Sequence, residues 1–449
     1  MSRTFMDLTD PVIHLIGSYL NNDSDLAMPS FTPFWENYAS EIRPDVVRDF
    51  FAFRATCRRV RDVCKVGGLH LVIKSWHQVE RLLAEGSAKY LEAVGRARIS
   101  IIQTQMHDIV SLWSSFTLLL SRMTSLEELI LDNLPFCQHA RSPQTDTLQL
   151  PPYPILPKVI SLSIDPRCNL CANAFNQLFI PAAPNIKHLR FRLAISKSQP
   201  SRRTKDNIEP IMAAWRKAND NQVMLLQTLC IRLFAVPRSV GKVQDYKDVC
   251  QLWPTLTNLH VSRFSDSDHK LQRVIAFVEA TPNDPPDWLF RCYNADGPKA
   301  AEDDLCFQSI PQLCEWLELP QTLQELDLNW VISLNLERPL HVSPVAGQRR
   351  GDPLPAHDPF PPLNTATSVG QYESRMKEAI SSAALQILDS IPALERGFFW
   401  EDAFDGYKQN WYRWTWEKTV EKDDMVAINV CDNPQLYSED FLTCRPGGL

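Results

Sequence analysis

The sequence predicts an α/β protein: a small helical N-terminal region, then an irregular solenoid of stacked strand-and-helix units. Three observations predict it. A hexad with apolar residues at positions one, four and six recurs along the chain. Helix-like stretches precede many of its copies. The first 65 residues instead follow the three-and-four spacing of amphipathic helices.

The clearest hexads are LEELIL from Leu126, VISLSI from Val159, IKHLRF from Ile186, LQTLCI from Leu226, LTNLHV from Leu256 and LQELDL from Leu323. The last is LERGFF from Leu394, where Gly397 takes the middle place. Successive starts lie 33, 27, 40, 30, 67 and 71 residues apart, and the two long gaps match about two periods of roughly 30. Self-similarity at such a period indicates a solenoid. On a strand, positions four and six point to one side, while Ile130, Arg190 and Asp327 between them point away. Strand-like runs LHLVI (69–73) and RISII (98–102) precede the hexads. The stretches IVSLWSSFTLLLSRMTS, CANAFNQLFIPAAPN and SIPQLCEWLELPQT supply helices, since a strand and helix bury their apolar faces only against a stacked neighbour.

These patterns place the array at 66–430, with polar or proline-rich loops at 196–207 and 338–368 and a tail at 431–449. Near its end, NWYRWTWEK alternates as a strand does, and Trp400, Trp411, Trp414 and Trp416 read as packing for a terminal strand or cap.

In the N-terminal region (1–65), LTDPVIHLIGSYL opens a helix in which Thr9 or Asp10 caps the amides and Pro11 fits the first turn. Val12, Leu15, Ile16, Tyr19 and Leu20 form its apolar face. An insertion at about 21–49 follows. In FFAFRATCRRVRDVC, Phe50, Phe53, Cys57, Val60 and Cys64 fall on one side of a second helix, beside a basic stripe of Arg54, Arg58, Arg61 and Lys65.

Net charge is -7 and the remaining basic residues are scattered, which argues against nucleic acid as a partner. Twelve cysteines at irregular distances, most in apolar runs, fit free thiols in a reducing compartment. The N-terminus makes a poor signal peptide, and no stretch has the roughly 18 to 20 apolar residues of a membrane span. The expectation is a protein of the cytoplasm or nucleus without a membrane partner. No glycine-rich phosphate loop, G-x-S-x-G or H-E-x-x-H occurs, so no catalytic residue, cofactor or metal is assigned. The CNLC run, Cys168 to Cys171, has the spacing of half a zinc site or of a redox pair, but only His188 stands near in sequence and no βαβ context is read before it.

Together, LTDPVIHLIGSYL and FFAFRATCRRVRDVC resemble the two halves of an F-box: a leucine–proline-led helix ending in an SYL-like segment, then a helix with an R-x-x-C-R-R-x-R-D signature. Arg54, Cys57, Arg58, Arg59, Arg61 and Asp62 match that signature. An F-box followed by degenerate leucine-rich repeats is frequent in the family, particularly among fungal proteins. The chain departs from the pattern in having Thr9 at the proline position, Val60 at the usual tryptophan and a longer link between the halves. At the ninth repeat position, usually asparagine or cysteine, it carries Leu134, Arg167, Ala194, Phe234, Phe264 and Val331.

The resemblance implies a non-catalytic substrate receptor of a Skp–cullin–F-box ubiquitin ligase. Leu8, Pro11, Val12, Ile16, Leu20, Phe53, Cys57 and Val60 would dock on a Skp-type adaptor and through it a cullin. The repeats would hold an unidentified protein substrate. The alternative is a repeat scaffold for protein–protein interaction whose N-terminal helices cap the array.

Overall fold

The computed structural model describes residues 8–13, 16, 53, 56–63, 69–85, 88–101, 109–132, 155–166, 168–195, 204–235, 242–265, 271, 274–279, 288–292, 307, 309–334, 369–404, 409–420, 425–432 and 434–438. The expected insertion at 21–49, the loop at 338–368 and Leu20 lie outside them. The fold is α/β, with predominantly parallel sheet and helices, in two compact units: Met1–Arg192 with Glu209–Cys230, and Leu193–Ile208 with Ile231–Leu449.

The first unit begins with α1 (Arg58–Val63), β1 (Leu69–Ile73), α2 (Trp76–Glu85), α3 (Ala88–Glu92), β2 (Val94–Ser100) and α4 (Ile109–Arg122). It continues with β3 (Glu128–Asp132), β4 (Ser161–Asp165), α5 (Asn169–Phe179) and β5 (His188–Ala194). Strands β1 to β5 pair in chain order, all parallel. The boundary between units falls within β5, α6 (Thr204–Ala218) and β6 (Thr228–Ala235). Thr204–Asn207, expected in a loop, therefore open a helix. A hydroxyl and an amide there find acceptors in another helix of the second unit: the Thr204 Oγ1 hydroxyl donates to Asp245 at 2.6 Å and the Lys205 amide to Asp248 at 3.2 Å.

Every hexad predicted from sequence sets its strand at its third residue: Glu128, Ser161, His188 and Thr228, and in the second unit Asn258, Glu325 and Arg396. Position one closes the turn before the strand and is buried throughout, from Leu126 to Leu394. Position two carries a backbone ladder. In the first unit the amides of Ile160 and Ser161 donate to Glu127 O at 2.9 and 3.1 Å, those of Lys187 and His188 to Ile160 O, and those of Gln227 and Thr228 to Lys187 O. The register then sets like on like, with Leu129 opposite Leu162 and Leu162 opposite Leu189.

The ladder reveals a hexad that the sequence reading missed. Glu127 N donates to Gly95 O at 2.8 Å, and Ala97 and Ile99 stand opposite Leu129 and Leu131. The strand expected at 98–102 thus begins at Val94, and VGRARI is a unit with alanine at position four. Helices α4 and α5 meet through Trp113, Phe116 and Phe179, all buried, with Trp113 and Phe179 centroids 5.8 Å apart.

The second unit contains α7 (Lys242–Leu252), β7 (Asn258–Ser265), β8 (Ile275–Glu279), β9 (Trp288–Cys292), α8 (Ile310–Leu317), β10 (Glu325–Asp327) and β11 (Val331–Ser333). It ends with α9 (Val369–Ser390), β12 (Arg396–Phe404), β13 (Gln409–Val420), β14 (Val426–Val430) and β15 (Gln435–Ser438). The strand order is β7-β10-β12-β11-β8-β9. The amides of Gln324 and Glu325 donate to Thr257 O, and those of Glu395 and Arg396 to Gln324 O. Hence the gaps of 67 and 71 residues are single steps of the ladder rather than two periods each.

The additional chain goes into a second run of strands. The nine-residue β12 pairs with β10 at Arg396 and Gly397 and with β11 at Trp400, while β8 and β9 form an antiparallel pair beyond β11. A turn at Asn329, φ 54°, separates β10 from β11, and the Asn329 amide donates to Asp327 Oδ1 at 3.0 Å.

Strand β13 runs antiparallel to β12 over nine residue pairs and pairs also with β14 and β15, so NWYRWTWEK is a strand as expected but not the terminal one. Its Trp416 occupies the space above Gly397 that a position-four leucine would fill. Part of the expected tail is strand too, since β15 pairs with β13. No helix among the described residues is long and apolar enough to cross a membrane.

Candidate functional site

Two features of the first unit stand out, and a third of the second. The N-terminal segments, far apart in sequence, meet around Ile13 and Val60, 1 % and 0 % exposed, with Leu8, Phe53 and Cys57 packed against them. Arg59 fixes the pairing: its Nε donates to Asp10 at 2.8 Å and its Nη2 to the Leu8 carbonyl at 2.8 Å. Amides of Val12 and Ile13 bond back to Thr9 O at 3.0 Å, which starts the first helix where the sequence placed it. Pro11 and Val12 face solvent, Ile16 is half-buried and Val60 serves the internal seam. Sequence reasoning missed Ile13, because it followed the apolar face through Val12, Leu15 and Ile16, the face assigned to docking, and did not single out an inward-facing residue.

The second feature is the strand face opposite the helices, built from hexad positions three and five and the residue after six. In the first unit it is charged. Arg96 meets Glu128 at 3.4 Å, Arg98 donates to Asp132 at 2.8 Å, and the buried Arg192 donates to Asp165 at 2.8 Å. Burial raises the carboxyl pKa of Glu128 and Asp132 against the pull of Arg96 and Arg98, and Asp165, opposite Asp132 in register, pushes Asp132 further up. The His188 imidazole is lowered by burial and by Lys187.

The corresponding face of the second unit binds its strands by two carboxylates. Glu325 on β10 accepts from His260 Nε2 on β7 at 2.9 Å, from Asn258 Nδ2 at 3.3 Å and from Arg396 on β12. Burial alone would raise Glu325, yet the hydrogen bonds and charges of His260 and Arg396 hold it down at about 2. Asp327 accepts from Arg413 Nη2 at 3.1 Å and Trp400 Nε1 at 3.1 Å, and the Arg413 guanidinium lies 3.6 Å from the centre of the Phe398 ring. Elsewhere in this unit Arg263, wholly buried against Asp245, is lowered to about 10 by burial.

Beside α8 opens a cavity of about 590 Å³ lined by Ser309, Gln312, Glu315, Glu318 and Cys314. Its thiol is pushed up to about 12 by burial, which keeps it protonated and poorly nucleophilic.

The CNLC run joins β4 to α5. Cys168 is the N-cap of α5 and Cys171 is 1 % exposed. The βαβ setting not read from sequence is present, because β4 and β5 are parallel neighbours with α5 between them. Among the described residues no group of three or more His, Cys, Asp or Glu side chains is placed to hold a metal ion.

Compared with known proteins, the chain matches no protein family, no curated protein and no solved structure.

Proposed function

We propose that the chain is the substrate-recognition subunit of a Skp–cullin–F-box ubiquitin ligase, with an F-box-like N-terminal pair and a leucine-rich-repeat-like solenoid. The observation that carries this reading is the seam itself. The two segments that resemble the halves of an F-box pack on each other through Ile13 and Val60 and are pinned by Arg59, one of the signature arginines, while Val12 stays 40 % exposed. An apolar residue left outside a completed small core is what a docking helix presents to a partner. Pro11 and Ile16 extend that surface, and the repeats hold the protein substrate.

The chemical contribution is proximity: a bound substrate's lysine is held near a charged conjugating enzyme that other subunits carry. The solenoid reading rests on the shared backbone ladder and on the like-on-like register of successive hexads.

Co-expression with the host's Skp adaptor, read by size-exclusion chromatography, tests this proposal. The wild type should co-elute and Val12→Asp should elute alone with an unchanged circular dichroism spectrum. A folded wild type that elutes alone favours the scaffold reading, in which the buried Val60 marks the helical pair as a self-contained cap.

A further inference from the structure

The cavity of about 590 Å³ beside α8 lies wholly within the second unit, and its size falls in the range of roughly 300 to 1,000 Å³ usual for small-molecule sites. Its wall has one sign of charge. Glu315 and Glu318 line it, and none of the lining residues is Lys, Arg or His. Glu318 is held from α7, where Lys247 Nζ meets it at 2.7 Å and Gln251 Nε2 donates to it at 2.8 Å, bonds that lower its carboxyl pKa. Glu315 is exposed, and no described residue pairs with its carboxylate.

The backbone adds to that charge. Helix α8 closes at Glu318, whose left-handed backbone (φ 55°) turns its amide back to the carbonyls of Cys314 and Glu315, and the 22-residue α9 ends at Ser390, another residue of the wall. A helix C-terminus carries partial negative charge, which a basic residue in the last turn offsets. Neither α8 nor α9 has one, and α9 carries Asp389 there instead. The N-terminus of α8 also borders the cavity, but its donors are engaged or missing: Ser309 Oγ accepts from the Gln312 amide at 3.3 Å, and Pro311 has no amide hydrogen.

We propose that this cavity binds a guanidinium group on an aliphatic stem, the side chain of arginine, with Glu315 as its counter-ion. A carboxylate accepts two parallel N–H bonds from the planar guanidinium fork, the two helix ends supply negative potential around it, and Pro311 and Leu319 offer apolar surface to the methylene stem. A lysine ammonium fits less well, because it is a strongly hydrated point charge and the cavity opens to water at the exposed Glu315. A bare metal ion fits less well still, since among the described residues no group of three or more His, Cys, Asp or Glu side chains is placed to hold one. The site involves no residue of the N-terminal pair, so it stands or falls separately from adaptor docking.

Ligand-observed NMR titration of the full chain tests this with four probes: N-acetylarginine amide, its uncharged citrulline counterpart, Nα-acetyllysine amide and free arginine. The capped arginine should bind at least about tenfold more tightly than the citrulline compound and at least about threefold more tightly than the lysine compound. Both comparisons use wild type and need no variant to fold. Glu315→Gln, at an exposed position, should leave the thermal melt unchanged and weaken capped arginine about tenfold. With the site so supported, tighter binding of capped than of free arginine identifies a peptide as the source, and the reverse order identifies the free amino acid. The inference is overturned if capped arginine shows no binding up to about 10 mM, if the citrulline or lysine compound binds equally well, or if folded Glu315→Gln binds as wild type does.

Discussion

Gly397 and Trp416 share one volume: a Cβ on the glycine would stand 2.6 Å from Cε2 and Cζ2 of the indole. The two residues are paired in register across β12 and β13. Restoring the expected residue by Gly397→Leu should therefore destabilise the protein. Even Gly397→Ala should cost about 1 to 3 kcal/mol, since the contact is with the body of a buried ring and not with a flexible chain end. Chemical denaturation checks this, and Trp416→Ala in the Gly397→Leu background should recover part of the loss.

Glu325 makes the second unit sensitive to acid. Its carboxyl pKa is depressed from 4.5 to about 2, so its stabilising contribution is complete above 4.5 and disappears as the pH falls through 2. A depression of that size corresponds to about 3 kcal/mol. Glu325→Gln should cost on that order at pH 7, and the difference from wild type should shrink between pH 4.5 and 2. Denaturant titrations across that range measure it.

Asp132 in the first unit has the opposite sign. Burial is the largest influence on it and raises its pKa above the usual 3.8. The folded state therefore takes up the proton first, so its contribution to stability grows as the pH falls through the folded value. Asp132→Asn should remove that gain, and the stability difference between variant and wild type should favour wild type more at pH 4 than at pH 7.

The hexad missed in sequence gives a packing test. Leu129→Ala removes a wholly buried side chain of β3, leaves a cavity and should cost about 2 to 5 kcal/mol. Ala97, its partner in register and equally buried, already fits its space, so Ala97→Leu should cost about 1 to 3 kcal/mol by overpacking. Two thermal melts decide whether the strand that begins at Val94 carries a true position-four residue.

Much of the α/β architecture was legible, because a strand with three aliphatic residues on one side announces itself locally. Leu126, Leu129 and Leu131 do so, whereas Val94, Ala97 and Ile99 do not, since alanine breaks the pattern although all three are buried. The long gaps after Leu256 and Leu323 were misread because chain length between hexads says nothing of where the intervening strands pair. The charged face was illegible for a similar reason. Asp327 and Arg413 are 86 residues apart, and a polar residue at position five gives no sign of its partner. At the N-terminus, Leu8, Phe53, Cys57 and Val60 were read as adaptor-docking residues and are found in the seam between the two segments, and helix spacing alone did not distinguish Ile13, which faces inward, from Val12, which faces out.

The most direct test of the central claim is hydrogen exchange of the full chain with and without its host's Skp adaptor, read at residues 8–13 and 56–63. The account predicts that amides of the first helix around Val12 become protected on adding the adaptor, and that Val12→Asp abolishes this protection while leaving exchange of the free chain unchanged. Identical exchange in these segments with and without saturating adaptor would contradict it.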